Sequence, residues 1–572
     1  MIQISQELAG RALGQLRSCG QGRHECVVFL VADLDLGDVA VDLIHPAHTA
    51  AGAWFEVDGP SLNALFVDLV DQNHMVVAQA HSHPGAWVDH SPTDDEFPVL
   101  PTPGFVSVVV PDFGRDSGPD EWGVHVLQAS GEWRRDPLAI RIVDDRRTQA
   151  LARTLDLLSE LVDLPRNEID RTLAAFVVRV VLSTEGWASE EGQAAFATLA
   201  NLLVRSGMQL EADVPRVPLM AEVPGFVGAD FHEACTMAIS RMLPGAELRC
   251  VRRSQPDLIV ALGGGAATAG ADLVVASSDG PTAWINFGGE PTWRPASIWT
   301  ALAAAGLAAV EAHKAVLRRL PSHRPEELER EAARFVVPFA AVGQVDVGKF
   351  TVISAGAISQ NALYSLAIDR SVRGDGTILD RDTADVSNLN RCPLLFLGDE
   401  RVRKVLVAAS RAKSLVRVPL THHATPDDWA VVSGLPVLVG VDDIAARHMI
   451  QAMSPSWLGV GATSHTMVIV SEHTPGWACA ACTHPVVGDA IEVIPTISIV
   501  SFWAGYLLAL RFRLMAMGEA MPADEQVTTL WPLRFAGAIQ SRQAVVGNCP
   551  LLEMLPGHPG VLTVDRRAAN AG

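Results

Sequence analysis

The chain has 572 residues, nearly half of them apolar, and a formal net charge of −21. That length exceeds what one hydrophobic core supports and implies three or four domains. The acidic balance is spread along the chain and excludes nucleic acid or an anionic membrane as the main partner, since both need basic patches. In chain order, the opening MIQISQELAGRALGQL reads as an amphipathic helix with polar residues throughout, not as a secretory signal.

The run CVVFLVA after Glu25 reads as a core strand, and HMVVAQA as a second one that stops at His81. There the chain reads AHSHPGAWVDHSPTDDEF, which sets His81, His83, Ser91 and Asp94 in the order H-x-H-x7-S-x2-D. Two histidines one residue apart on a strand project to the same side. A carboxylate arriving from the following turn, Asp94, closes a three-ligand zinc site whose fourth position stays open for water. DEWGVHVLQASGEWRR, two short strands around a turn, completes a first domain over 1–140.

This first region resembles the JAMM (JAB/MPN) metalloprotease family, whose members remove ubiquitin or ubiquitin-like proteins by isopeptide or peptide cleavage. The resemblance implies His81, His83 and Asp94 as ligands of a catalytic zinc. It also implies a glutamate at the start of an early buried strand as the base that takes a proton from water. Glu25 fits that description, and Glu56, in a turn-like setting before Asp58-Gly59-Pro60, is the second candidate. Ser91 would donate a hydrogen bond to the oxyanion. S-P-T-D also reads as a helix start, and both roles can hold at once.

Residues 141–215 read as a helical region, because LARTLDLLSELVDL and AAFATLANLLVRSG place apolar residues three and four apart. Over 216–330 the pattern returns to α/β: PDLIVALGGGAATAGADLVVASS as strand, glycine turn, strand, then the long alanine-rich helix SIWTALAAAGLAAVEAHKAVLRRL. Gly263-Gly264-Gly265 lacks the Lys-Ser/Thr or acidic strand end of a phosphate loop.

From 331 to 565 the layout is that of a nucleotide-binding βαβ unit. KFTVISAGAISQNALYSLAIDR gives strand, tight turn and helix, and GTILDRDTADVSNLNRCPLLF a second strand ending in acids. The segment DRDTADVSNLNR resembles the ThiF/MoeB/ubiquitin-activating family, which adenylates the C-terminal glycine of ubiquitin-like proteins. The resemblance implies a Rossmann-like adenylation domain that uses ATP with magnesium. Asp380 would bind ribose, Asn388 and Arg391 the phosphates, Lys404 the polyphosphate, and Asp442 magnesium. Arg391 and Lys404 would neutralise charge as the acyl oxygen attacks the α-phosphorus. The family's G-x-G-x-x-G is reduced here to Ser354-Ala-Gly356-Ala-Ile-Ser359, in which Gly356 alone remains, and a positive φ at a serine would cost ~1 kcal/mol.

Cys479 and Cys482 form a C-x-x-C where relatives carry half of a structural zinc site, and Cys549 is a third thiol. His484 or His558 would supply the fourth ligand, or the site is empty. Cys482, Cys479 or Cys392 as a thioester nucleophile is the competing reading. ISIVSFWAGYLLAL (497–510) is too short to cross a bilayer and reads as a buried helix, and residues 566–572 as a loose tail.

The whole reads as a multidomain α/β fusion of a JAMM-type peptidase with a ThiF-type adenylation domain, expected in the cytoplasm. The 216–330 segment reads as an inactive adenylation-like half-domain, since members of this family work as dimers or pseudo-dimers, and a homodimer is open. The implied partners are a ubiquitin-like (β-grasp) protein and a conjugating enzyme. Two rival functions stay open: a sulfur-carrier route to thiocarboxylates, and a peptidase joined to a non-catalytic docking platform.

Overall fold

The computed structural model describes residues 2–34, 39–115, 117–143, 145–250, 255–263, 272–286, 292–320, 329, 331–338, 343–474, 477–485, 496–519, 526–537, 539–541 and 551. Its architecture is mixed α/β, in two compact units, Met1–Arg146 and Arg147–Gly572.

In the first unit Ser5 caps the helix Gln6–Gly20 by accepting from the Leu8 N–H. The residues before it are not helical, as the opening stretch had suggested. Ile2–Ser5 is a strand paired in parallel with Ile140–Val143, which carries this unit past residue 140. Leu8, Ala12, Leu13 and Leu16 fall on one helix face and bury against Val28, Leu30, Ala78, Ala80 and Val108 of a six-stranded sheet. The helix Gly59–Asp71 covers the other face through Leu62, Leu65, Phe66 and Leu69, against Val27, Phe29 and Val31. The strands Val27–Asp33 and His74–Ser82 lie side by side, antiparallel, near the centre of that sheet. Burial on both faces explains why each reads as a nearly continuous apolar run. Glu56 ends not in a turn but on the strand Trp54–Glu56, hairpinned with Thr49–Ala51.

The second unit holds two large sheets that repeat one topology. In the first, Leu248–Arg249, Gln209–Glu211, Val177–Leu182, Leu258–Leu262 and Asp272–Gly280 run parallel, followed by antiparallel Thr282–Ile285 and Ala333–Val336. In the second, Val416–Leu420, Val372–Leu379, Val345–Ile353, Pro436–Val439 and Trp457–Ser464 run parallel, followed by antiparallel Met467–His473, Val527–Leu530 and Ile539–Ser541. Numbered by sequence within each sheet, both begin 3-2-1-4-5-6; in the first sheet Trp293–Pro295 comes seventh and pairs beside Asp272–Gly280, off this path. The repeat corrects the expected helical region over 141–215. Val177–Leu182 is the central strand of the first sheet, so that half begins well before residue 216. Its VVRVVL alternates half-buried and buried positions, as a strand with a period of two should.

The helices Ile298–Leu317 and Ser498–Ala516 are long and apolar enough to cross a membrane, yet are 100% and 89% buried within this unit. Gly306 lets Phe502 and Trp503 approach, since a Cβ there would sit 2.6 Å from Phe502. The two halves are tied by Tyr364 Oη to Thr198 Oγ1 at 3.1 Å, and by Trp299 Nε1, which donates to Asp369 Oδ2 at 2.7 Å. Cys549, His558, Gly264, Gly265 and the tail 566–572 lie outside the described residues.

Candidate functional site

The first site grows from one strand end. His74–Ser82 is buried to its last residue, and alternation sets His81 and His83 on one face. Nδ1 of His83 donates to the Trp87 carbonyl at 3.2 Å, and the Trp87 ring stacks on that imidazole at 5.4 Å. That contact turns the Nε2 lone pair inward. Ser91 caps the short helix Pro92–Glu96 in a reciprocal box. Its Oγ accepts the Asp94 N–H at 3.2 Å, and its own N–H donates to Asp94 Oδ2 at 2.7 Å. The cap holds the Asp94 carboxylate against the two histidines.

Nε2 of His81 lies 3.3 Å from Nε2 of His83 and 3.4 Å from Asp94 Oδ1, while Nε2 of His83 lies 3.4 Å from Asp94 Oδ2. A tetrahedral ion with nitrogen and oxygen ligands at ~2.0–2.1 Å has ligand–ligand edges of ~3.3–3.4 Å. The two imidazole nitrogens are one such edge apart, and each lies the same distance from a different oxygen of the Asp94 carboxylate. Electrostatics agree with a cation between these groups. Burial alone would raise the Asp94 carboxyl, but hydrogen bonds from His81 and His83 hold it well below the usual carboxylate range. Burial pushes the His81 imidazole down. It opposes protonation of His83 as well, yet the Asp94 hydrogen bond and the Glu25 and Asp94 charges carry His83 upward. The three groups thus favour a positive charge between them, which a bound metal ion would supply.

Glu25 comes to the same place through strand register. Val27 pairs with His81, and the Ser82 N–H donates to the Cys26 carbonyl at 3.0 Å, so the next step opposes Glu25 to His83. Burial pushes the Glu25 carboxyl up to about 7, with the His83 charge pulling it back and Asp94 adding to the rise. Glu56 lies on the separate hairpin described above.

The second site lies at the carboxyl ends of adjacent parallel strands, where the chain order reverses, the usual ligand crevice of an open α/β sheet. Val345–Ile353 ends in the Ser354–Ser359 turn, Val372–Leu379 in Asp380, and Pro436–Val439 in Gly440 to Asp442. Ser354 takes the left-handed conformation, φ 73°. Its Oγ donates to the Gly440 carbonyl at 3.2 Å and accepts the Gly356 N–H at 3.3 Å. Gly356 itself has an ordinary φ of −74° and opens the helix Ala357–Ile368 without a side-chain cap. Ser359 fills the place of the third glycine because Gly440 opposite has no Cβ, which would meet Ser359 Oγ at 2.5 Å.

Asp380 is buried and accepts from the backbone of Ala355 at 2.7 Å and Asp382 at 2.8 Å, which ties the strand end to the turn. Asn388 Oδ1 accepts the Asp385 N–H at 3.2 Å, and Arg391 donates to Asn390 Oδ1 at 2.7 Å and the Ser387 carbonyl at 2.5 Å. Burial lowers the Arg391 guanidinium, Arg153 adds to that, and the Asp442 and Asp385 charges oppose it. Lys404 pairs with Asp382 at 3.1 Å. The Ser387 hydrogen bond and the Lys404 charge hold the Asp385 carboxyl low. Asp380, Asn388, Arg391, Lys404 and Asp442 therefore share one edge of the sheet. Sequence reasoning missed Arg153, which comes from the helix Asp145–Val162 that precedes the first sheet. It also missed Arg205, whose guanidinium is fully buried and donates to the Leu395 carbonyl at 2.7 Å and to that of Leu389.

The cysteines divide differently from expectation. Cys479 and Cys482 stand 3.6 Å apart, sulfur to sulfur, packed with Ala478, Ala481 and Leu551. His484 is not their fourth ligand. Its Nε2 meets Ser471 Oγ at 2.9 Å and its Nδ1 faces Arg447 at 3.4 Å, and burial pushes it down to about 3. Cys392 is buried, and burial pushes its thiol up, the opposite of what a thioester nucleophile needs. A separate cluster of Cys19, Cys26, His45 and His48 was not read from the sequence at all. Its spacing, C-x6-C and a distant H-x2-H, matches no short metal motif.

The chain is similar to two proteins of Sinorhizobium fredii (strain NBRC 101917 / NGR234). It is 32% identical over 148 residues to the probable metalloprotease y4jG, a match covering 24% of this chain and 89% of that protein. It is 28% identical over 149 residues to the uncharacterized protein y4jF, covering 24% of this chain and 28% of y4jF. Among solved structures, crystal structures of E. coli MccB match with TM-scores of 0.30 and 0.31 at 16% identity. Those matches cover 35% and 37% of this chain and 66% and 67% of the MccB chains. No family model matches the chain.

Proposed function

The chain belongs to the family of the probable metalloprotease y4jG, and on that footing we propose that its first unit is a JAMM-type zinc peptidase acting after the C-terminal glycine of a ubiquitin-like protein. The observation that carries the reading is the convergence of His81, His83 and both oxygens of Asp94 at 3.3–3.4 Å, with Glu25 opposed to it. A divalent metal, when bound, supplies Lewis acidity to a water and to the scissile carbonyl. Glu25 takes the proton of the attacking water and returns it to the leaving amine, a role suited to a carboxyl whose pKa lies near neutrality. Ser91 Oγ accepts within its cap, so its O–H is left to donate to the oxygen that gains charge.

The second unit then adenylates the carboxylate that trimming exposes. The carboxylate oxygen bonds to the α-phosphorus of ATP, the bond to the β-phosphate oxygen breaks, and pyrophosphate leaves. Arg391, Lys404 and Arg153 offset the charge that accumulates, Asp380 receives the ribose hydroxyls, and Asp442 holds magnesium. The crevice at the reversal of strand order in the second sheet and the clustering of these residues along it support this reading. One contact favours the docking-platform alternative: Ser354 Oγ takes the Gly356 N–H that a phosphate would otherwise receive.

The test is to incubate the full chain with a small β-grasp protein carrying an extension past its terminal glycine. Cleavage lost on chelation and restored by zinc supports the peptidase, and no cleavage under any metal rejects it. ATP–pyrophosphate exchange with the trimmed protein supports adenylation, and its absence with an active peptidase leaves the platform.

A further inference from the structure

A second donor cluster stands in the first unit, apart from the triad. Cys19 lies in the last turn of the helix Gln6–Gly20, and Cys26 immediately precedes the strand Val27–Asp33. The chain reverses between them through two left-handed residues, Gln21 at φ 49° and Gly22 at φ 66°. His45 and His48 follow the strand Ala40–Ile44. Cys19 Sγ lies 3.6 Å from His48 Nε2, and Cys26 Sγ lies 3.3 Å from His45 Nε2. One donor atom from each of the four falls within 4.8 Å of every other.

We propose that Cys19, Cys26, His45 and His48 form a closed, structural Cys2His2 site for zinc, which clips the end of the first helix to the strand entrance that carries Glu25. A tetrahedral zinc with sulfur at ~2.3 Å and nitrogen at ~2.0–2.1 Å has edges of ~3.3–3.8 Å, and both sulfur–nitrogen separations fall in that range. Orientation is a second, independent sign. His48 Nδ1 donates to the Pro46 carbonyl at 3.0 Å, which leaves Nε2 as a bare lone pair turned on Cys19. The two rings meet edge to face at 5.0 Å and do not stack. Two soft thiolates with two imidazoles select zinc over magnesium or calcium. Binding is balanced: each thiol gives its proton to solvent, each sulfur donates a pair to the ion, and the two thiolate charges neutralise it.

The placement gives the clip a consequence for the triad. Cys26 is bonded in sequence to Glu25, and its N–H donates to Ser82 Oγ at 3.1 Å, between His81 and His83. A metal at Cys26 therefore fixes the strand edge on which the acid–base residue and both imidazoles sit.

The experiment loads the metal-free full chain with cobalt(II) in the presence of a non-thiol reductant. The folded wild type is expected to show a near-ultraviolet thiolate-to-cobalt charge-transfer band and tetrahedral visible bands. His83→Ala, which removes a ligand of the sulfur-free triad, should keep the thiolate band, as should Cys479→Ser. Cys26→Ser should abolish it. His48→Ala, at a half-buried loop position, should keep the fold by circular dichroism and weaken cobalt retention at least tenfold. A folded wild type without the band, a band lost only in Cys479→Ser, or a Cys19–Cys26 disulfide in place of metal would overturn the proposal. Because the triad contains no sulfur, failure of the peptidase reading leaves this band untouched, and failure of the clip leaves cleavage chemistry at His83 intact.

Discussion

Glu25 opposes His83 across two antiparallel strands, one step beyond the hydrogen bond from Ser82 to Cys26. Geometry thus puts beside His81, His83 and Asp94 a carboxyl that burial raises to about 7. Glu25→Gln removes the base but keeps shape, so zinc content should stay at the wild-type value while cleavage falls by ~10²–10⁴-fold. Mass-spectrometric zinc content and a cleavage assay on the same preparation check this. Activity retained in Glu25→Gln and lost in Glu56→Gln would move the role to Glu56.

His83→Ala opens one corner of the triad, leaving two protein ligands for an ion that needs three and a water. Cleavage is expected to vanish with one equivalent of zinc lost, and the fold to persist in circular dichroism. Unchanged zinc stoichiometry would reject the assignment.

Ser354 combines a cost with a gain. Its φ of 73° costs about 1 kcal/mol relative to glycine, and its Oγ hydrogen bonds return a similar amount. Ser354→Gly should therefore lie within about 1 kcal/mol of wild type, whereas Ser354→Ala keeps the strain and loses the bonds, and should be about 1–2 kcal/mol less stable. Urea denaturation of the three proteins tests the order Gly near Ser, above Ala.

Asp442 is exposed at the end of Pro436–Val439, so Asp442→Asn should leave stability unchanged. Pyrophosphate exchange should drop by on the order of 10²-fold, with peptidase activity preserved. Equal exchange in wild type and variant would remove Asp442 from the metal-holding role.

His313, within Ile298–Leu317, is fully buried, and burial pushes its imidazole from 6.5 down to about 4. Neither ring nitrogen has a hydrogen-bond partner among the described residues. Between those two values the unfolded chain binds a proton that the folded chain refuses, so stability falls as pH falls through that window. At pH 5 this residue alone should cost about 2 kcal/mol relative to pH 7.5. His313→Leu should shrink the difference in denaturation midpoint between those pH values, and an unchanged difference would contradict the burial argument.

The meeting of His81, His83 and Asp94 was legible because they sit within fourteen residues, on one strand and the turn after it, where period-two alternation sets both histidines on one face. The strand–turn–helix order that sets Ser354–Ser359 beside Asp380 was legible strand by strand. What escaped needed contacts between distant segments. Cys19, Cys26, His45 and His48 converge from a helix end, a strand start and a loop, and no spacing announces that meeting. Val177–Leu182 was hidden by the helical runs on either side, although its own alternation was present. His484 looked free to bind metal until its nitrogens were found engaged with Ser471 and Arg447.

The repeated halves of the second unit share one apolar interior that runs from Ala150 to Leu533 without a break. Each half contributes a long interior helix to it, the twenty-residue Ile298–Leu317, buried throughout, and the nineteen-residue Ser498–Ala516, buried through Leu514. A gene cut between the two sheets would thus expose this interior in both fragments, which are expected to aggregate when expressed apart and to be recovered together on co-expression.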